Sequence, residues 1–96
     1  MADDRESTVA QLLDETESEH GAYEQEELGG QRDEQWATWY AGYALEHDLG
    51  DALGTTPEIG RLAEVLTEAT AEHEREGSDQ GWSEYAAAMV VDRLAA

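Results

Sequence analysis

The chain has 96 residues, enough for one domain, with 24 acidic residues against 5 basic ones and a net charge of −19. All the basic residues are arginine; cysteine, lysine and phenylalanine are absent, which excludes disulfides, thiolate chemistry and lysine chemistry. A surface this negative repels nucleic acid and anionic membranes, so direct binding to either is not expected.

No apolar run approaches the roughly 20 residues of a membrane span. The first residues, MADDREST, lack the basic and apolar regions of a signal peptide, and the expectation is a cytoplasmic protein. Residues 1–7 form a polar leader and residues 8–96 a single helical domain. An acidic N-terminal helix covers 8–28 and aromatic core helices cover 33–95. Helix one starts at Ser7 or Thr8. Val9, Leu12, Leu13, Thr16, His20 and Tyr23 make its apolar stripe. Gly21 weakens it, so the helix either breaks there or runs on to Leu28, and Gly29-Gly30 ends it in both cases. Its outer face is acidic: Asp14, Glu15, Glu17, Glu19, Glu24, Glu26 and Glu27. Like charges this dense lower local stability.

The central stretch is Asp33–Gly50, DEQWATWYAGYALEHDLG. Trp36, Tyr40, Tyr43 and His47 recur at steps of four, three and four, one face of a helix, with Trp39 on its flank. Asp33 suits the N-cap, and Gly50 a stop. Gly42 costs about 1 kcal/mol relative to alanine and would let another helix approach between Trp39 and Tyr43. Thr56-Pro57-Glu58 is a helix start, with Thr56 capping and Pro57 in the first turn. Ile59, Leu62, Ala63, Leu66 and Ala69 or Thr70 make the third stripe, ending near Arg75. Ser78 or Asp79 caps a last helix with Trp82, Tyr85, Ala86, Met89, Val90 and Arg93 or Leu94 on its apolar side. No strand pattern competes. The fold class is all-α, a compact bundle of about four short helices.

Asp33–Tyr43 and Asp79–Met89 echo one another: Trp36 aligns with Trp82, Trp39 with Tyr85 and Ala41 with Ala87. Two pseudo-repeated helical hairpins, or a chance likeness of capped amphipathic helices, account for this equally. The stretch W-A-T-W-Y-A-G-Y-A-L-E-H-D-L-x3-L-G-T-T-P, followed by spaced leucines and a second W-x-x-Y-A, resembles a group of small bacterial helical proteins with paired W-x-x-[WY]-[YA]-A motifs. The resemblance covers about residues 33–94. It implies a helical fold and a bacterial cytoplasm, and it carries no assigned activity. In the second copy Ser83-Glu84 replaces bulkier positions of the pattern.

His20, His47 and His73 each follow a glutamate and fall near expected helix C-termini, where the dipole and carboxylates stabilise an imidazolium. Glu17–His20 has the E-x-x-H spacing of di-iron bundles, but the second motif those sites require is missing. No nucleophile elbow, phosphate loop or EF-hand spacing occurs. No catalytic, cofactor or metal residue is therefore assigned, and no cofactor is expected. Divalent cations are expected to bind the acidic face weakly and unspecifically.

Three roles follow. The leading one is a non-catalytic interaction module that binds a protein partner, or a second copy as a homodimer, through Trp36, Trp39, Tyr40, Tyr43, Trp82 and Tyr85. Trp and Tyr are enriched at binding hot spots. The second is an acidic DNA-mimic decoy that uses the carboxylates of helix one against a nucleic-acid-binding protein. The third is a small-molecule or metal-binding bundle, which requires a closed cavity near Trp36, Tyr40 and Trp82 and, for a metal, histidines that converge in one site. Halophilic adaptation and GC-rich genome composition are the simpler accounts of the acidity and are preferred to mimicry.

Overall fold

Val9, Leu13 and Thr16 recur every three or four residues, and a helix places such positions on one side. In the computed structural model, which describes residues 4–30, 35–77 and 79–95, all three are fully buried on α1 (Asp4–Glu27). The helix starts ahead of Ser7 and runs unbroken through Gly21. One interior glycine costs about 1 kcal/mol, and Thr16 and His20, buried just ahead of it, hold the helix against the bundle. The chain then turns at Gly29 and Gly30, whose φ angles of 63° and 88° suit glycine.

The expected single central helix is split in two. α2 (Trp36–Glu46) ends at His47, and α3 (Leu49–Leu53) follows after Asp48, which sits in the left-handed region at φ 73°. Asp and Asn tolerate that conformation better than other side chains. Asp33, the expected N-cap, lies outside the described residues; Gln35 occupies the cap position and makes no side-chain cap bond. Gly50 does not stop a helix. It lies within α3, where a Cβ would come 2.6 Å from Thr56 Oγ1, and Gly54 (φ 78°) ends α3 instead.

α4 (Ile59–Glu76) begins later than Thr56-Pro57 suggests. Thr56 does not cap it and Pro57 is not in its first turn, because Glu58 is still extended and holds the cap position. Gly77, at φ 60°, closes its C-terminus. α5 (Trp82–Leu94) has Gly81 at its cap, with no side-chain bond. Asp79 lies in a bend before it, and Ser78 is outside the described residues.

α1, α2, α4 and α5 form an up-down-up-down ring in which each packs on the next and α5 returns to α1. α3 packs on α1 and α2 as part of the long turn. Counted with it there are five helices among the described residues, in rough agreement with the expected four, and no strand. None of them is long and apolar enough to cross a membrane.

The core explains where the rings go. α2 contributes Ala41 and Ala44, and α5 contributes Ala86, Ala87 and Val90. Small residues let helices approach closely, and the larger volume comes from Leu13, Leu49, Leu53, Leu62, Val65 and Leu66. The large rings are thereby displaced to the seams between helices, where they are half-buried. Tyr43 and His47 do not face the core as their spacing suggests. Ile59, placed on the core stripe by its spacing, is 46% exposed, because it is the first residue of α4 and precedes the packed turns. Nor does a helix wedge itself at Gly42: only Ile59 Cδ1 lies near, 3.6 Å from where a Cβ would be.

Candidate functional site: an aromatic cleft at one end of the bundle

Trp36 is the first residue of α2 and Trp82 the first of α5. In the helix ring these two helices are diagonal, yet their first residues meet at one end of the bundle. The indoles cross edge to face, with centroids 6.2 Å apart at 75°. Tyr40, one turn further along α2, completes a triangle, 5.2 Å from Trp36 at 83° and 5.6 Å from Trp82 at 84°. Edge-to-face pairs of this kind are the favoured aromatic arrangement.

The C-terminal halves of α1 and α4 close the sides. Glu17, His20 and Glu24 of α1 and Thr70 of α4 join the three rings around a shallow, open cleft of about 250 Å³. Positions 17, 20 and 24 share a face because they are three and four apart. Thr70 is held in place from both directions. Its hydroxyl accepts the Trp82 indole N–H at 2.8 Å and donates to Leu66 O at 3.0 Å.

His20 is 5% exposed, in the body of α1 rather than at a solvated helix end. Its ring lies 4.9 Å from Tyr40, 5.0 Å from Trp39 and 6.0 Å from Tyr23, and its Nδ1 is 3.9 Å from Glu24 Oε1. His47 and His73 follow the expectation better. His47 caps α2, hydrogen-bonded through Nδ1 to Tyr43 O at 2.8 Å. His73, in the last turn of α4, pairs its Nε2 with Gln80 O at 2.7 Å. The three histidines thus belong to three separate places. Among the described residues no group of His, Asp and Glu is placed to hold a metal ion.

The electrostatics of the cleft follow from burial. Partial desolvation raises the pKa of Glu17 above its usual 4.5, and Asp14 adds to the shift. Tyr40 is pushed up to about 12 by burial and then by the negative charges of Glu17 and Glu24. The phenol therefore stays protonated at neutral pH and is no nucleophile. With the Thr70 hydroxyl committed to Leu66, the cleft offers ring surface and negative charge.

Of the six aromatic residues singled out from sequence, three line this cleft. Trp39 and Tyr43 lie on the other flank of α2, in a stack with His47: Trp39–Tyr43 centroids are 5.4 Å apart at 12°, and Tyr43–His47 are 3.9 Å apart at 14°. Tyr85 is separate from both. It packs on His73 at 5.2 Å and donates to Glu76 at 2.5 Å, a bond that, before burial, pushes its pKa up to about 12. Of the acidic face, Glu17 and Glu24 line the cleft, while Asp14 accepts the Ser83 hydroxyl at 2.6 Å. Glu15, Glu19, Glu26 and Glu27 are exposed, as are acids on each of the other helices, such as Glu46, Asp51, Glu64 and Asp92. His20 and Thr70 belong to the site and were not assigned to it from sequence; the shared face of 17, 20 and 24 was the available signal for His20. No known protein family, curated protein or solved structure matches the chain.

Proposed function

We propose that the protein is a non-catalytic interaction module. It binds a protein partner through the aromatic seam formed by α1, α2 and α5, and the segment it receives is basic. The observation that supports this best is the open cleft itself. Trp36, Tyr40 and Trp82 are packed well enough to be held rigid, yet each keeps surface facing solvent. Rigid, half-buried Trp and Tyr are the side chains that supply most binding energy at interfaces. The net charge of −19 selects the sign of the partner and repels a second copy of the chain. The decoy reading has less to support it, since exposed carboxylates occur on all five helices instead of in one segregated row.

The test is a nuclear magnetic resonance titration with Arg- and Lys-bearing peptides against an acidic peptide of equal length. The reading expects shifts at Trp36, Tyr40, Trp82 and His20 with basic peptides alone. Shifts spread over the exposed carboxylates, or centred on the separate groove that Ala37 and Thr38 of α2 form with Ala63 and Thr67 of α4, would overturn it.

A further inference from the structure

The shape and charge of the cleft narrow the chemistry further, and the inference rests on its being a binding site. We propose that it is a receptor for an organic cation, an alkylated ammonium group set into the corner made by Trp36, Tyr40 and Trp82 and neutralised by Glu17 and Glu24.

Shape comes first. The three ring planes meet at 83°, 75° and 84°. A flat ligand needs parallel walls to stack between, and this corner has none. A rounded group can instead touch three differently oriented surfaces at once. The volume, about 250 Å³, is below the roughly 300–1,000 Å³ of drug-sized pockets and suits a head group on a tether.

Sign comes second. Cations are attracted to Trp and Tyr rings through the ring quadrupole, and quaternary ammonium groups are the ligands most often held this way. The Trp82 N–H is spent on Thr70, so this indole offers its ring and no donor for an anion. α2 and α5 begin at this end while α1 and α4 end there, so the helix dipoles offset one another. The carboxylates of Glu17 and Glu24 then decide the sign, and among the described residues no arginine lines the cleft. Partial burial of Glu17 raises its pKa, and an arriving cation would relieve that desolvated charge.

The same chemistry could arrive on a free small cation or on a methylated lysine side chain of the partner. The experiment therefore has three arms, each read at the Trp and Tyr resonances at physiological salt: tetramethylammonium chloride, its neutral isostere tert-butanol, and a short peptide carrying trimethyllysine. Potassium chloride at equal concentration is the control for general screening.

At the efficiencies usual for fragments of about five heavy atoms, tetramethylammonium binds saturably with a Kd on the order of 1 mM. It binds about tenfold tighter than tert-butanol, and Glu17→Gln weakens it roughly threefold, as one charge at a water-exposed rim should. Glu17→Gln relieves a desolvated charge and so leaves folding intact; circular dichroism checks this. Equal binding of the isostere, equal shifts with potassium, or no saturation would each overturn the proposal. If the peptide moves the ring resonances and tetramethylammonium does not, the cation site is refuted while the interaction reading stands. If tetramethylammonium binds and the peptide gains nothing over it, the cation site stands with a small-molecule ligand, and the protein-partner reading fails.

Discussion

Gly42 lies inside α2 and Gly50 inside α3, and on propensity alone alanine would favour folding at both, by up to about 1 kcal/mol. Their surroundings separate them. A Cβ at position 42 would meet Ile59 Cδ1 at 3.6 Å, an ordinary van der Waals contact with a flexible tip. A Cβ at position 50 would meet Thr56 Oγ1 at 2.6 Å, with Thr56 Cβ at 3.4 Å and Cα at 3.5 Å behind it. The clash clears only if Thr56 turns its hydrogen toward α3, and a β-branched side chain has few χ1 options. Overpacking of this kind costs about 1–3 kcal/mol, more than the gain available in so short a helix.

Gly42→Ala is therefore expected to stabilise by about 1 kcal/mol, raising Tm by about 4–8 °C for a domain of this size. Gly50→Ala is expected to destabilise by about 1 kcal/mol. Thr56 is exposed, so Thr56→Ala alone stays within about 0.5 kcal/mol. In the Gly50→Ala/Thr56→Ala double variant the loss disappears, a coupling of about 1–2 kcal/mol. Urea unfolding followed by circular dichroism and Trp fluorescence measures all four. Loss of stability in Gly42→Ala would mean that α4 presses on α2 more tightly than Ile59 indicates. Gain in Gly50→Ala without coupling to Thr56 would refute the close approach of the α3–α4 turn.

Three further outcomes test the site and the core. Thr70→Val removes the acceptor of the Trp82 N–H; it is expected to cost about 1–3 kcal/mol and alter Trp82 emission, with Thr70→Ser restoring both, and an unchanged emission would count against the bond. Leu66→Ala is expected to cost about 2–5 kcal/mol and Ile59→Ala less than about 1 kcal/mol, and equal losses would return Ile59 to the core. Glu17→Gln tests the raised pKa of Glu17. A carboxyl whose folded pKa lies above its unfolded value binds its proton more tightly in the native state, so ionisation costs stability as pH rises above about 4.5. The variant is expected to be more stable than the parent at pH 7 and equal to it below pH 4; a gain that persists in acid would point to packing instead.

The all-helical class was legible because α1, α4 and α5 carry apolar residues at helical spacing, and because glycines at positive φ, Gly29 and Gly77, follow α1 and α4. The split of the central helix was not. Residues 36–49 continue an apolar period, and the break at left-handed Asp48 redirects the chain so that α3 packs on α1 and α2. The cap residues misled for a related reason. Thr56 and Asp79 precede their helices in sequence, but extended Glu58 and Gly81 intervene. Trp36, Tyr40 and Trp82 meet, but around an open cleft rather than the closed cavity expected for a small-molecule site. Which side of α2 faces the core was not legible, since a stripe weighted by ring size selects Tyr43 and His47. Helices approach closely through small residues, so Ala41 and Ala44 take the interior. His20 was placed on the apolar stripe, where it is buried, but also near a helix end, because Gly21 looks like a stop and is an interior position.

Charge and cleft play separable parts in the proposed binding. The acids are distributed over every helix, so they act at long range on any basic partner, and they do so through water. The Debye length falls from about 10 Å at 0.1 M salt to about 3 Å at 1 M. Attraction of this kind steers encounter and sets the association rate. The corner of Trp36, Tyr40 and Trp82, with Glu17 and Glu24 beside it, acts only on a group already in place, and partly away from solvent. A basic peptide should therefore associate about ten or more times more slowly as salt is raised, with its dissociation rate little changed. Trp36→Leu should do the reverse and speed dissociation at every salt concentration. Stopped-flow mixing reads both rates. If salt accelerates dissociation as strongly as it slows association, the carboxylates hold the partner by themselves and the aromatic corner is not the recognition element.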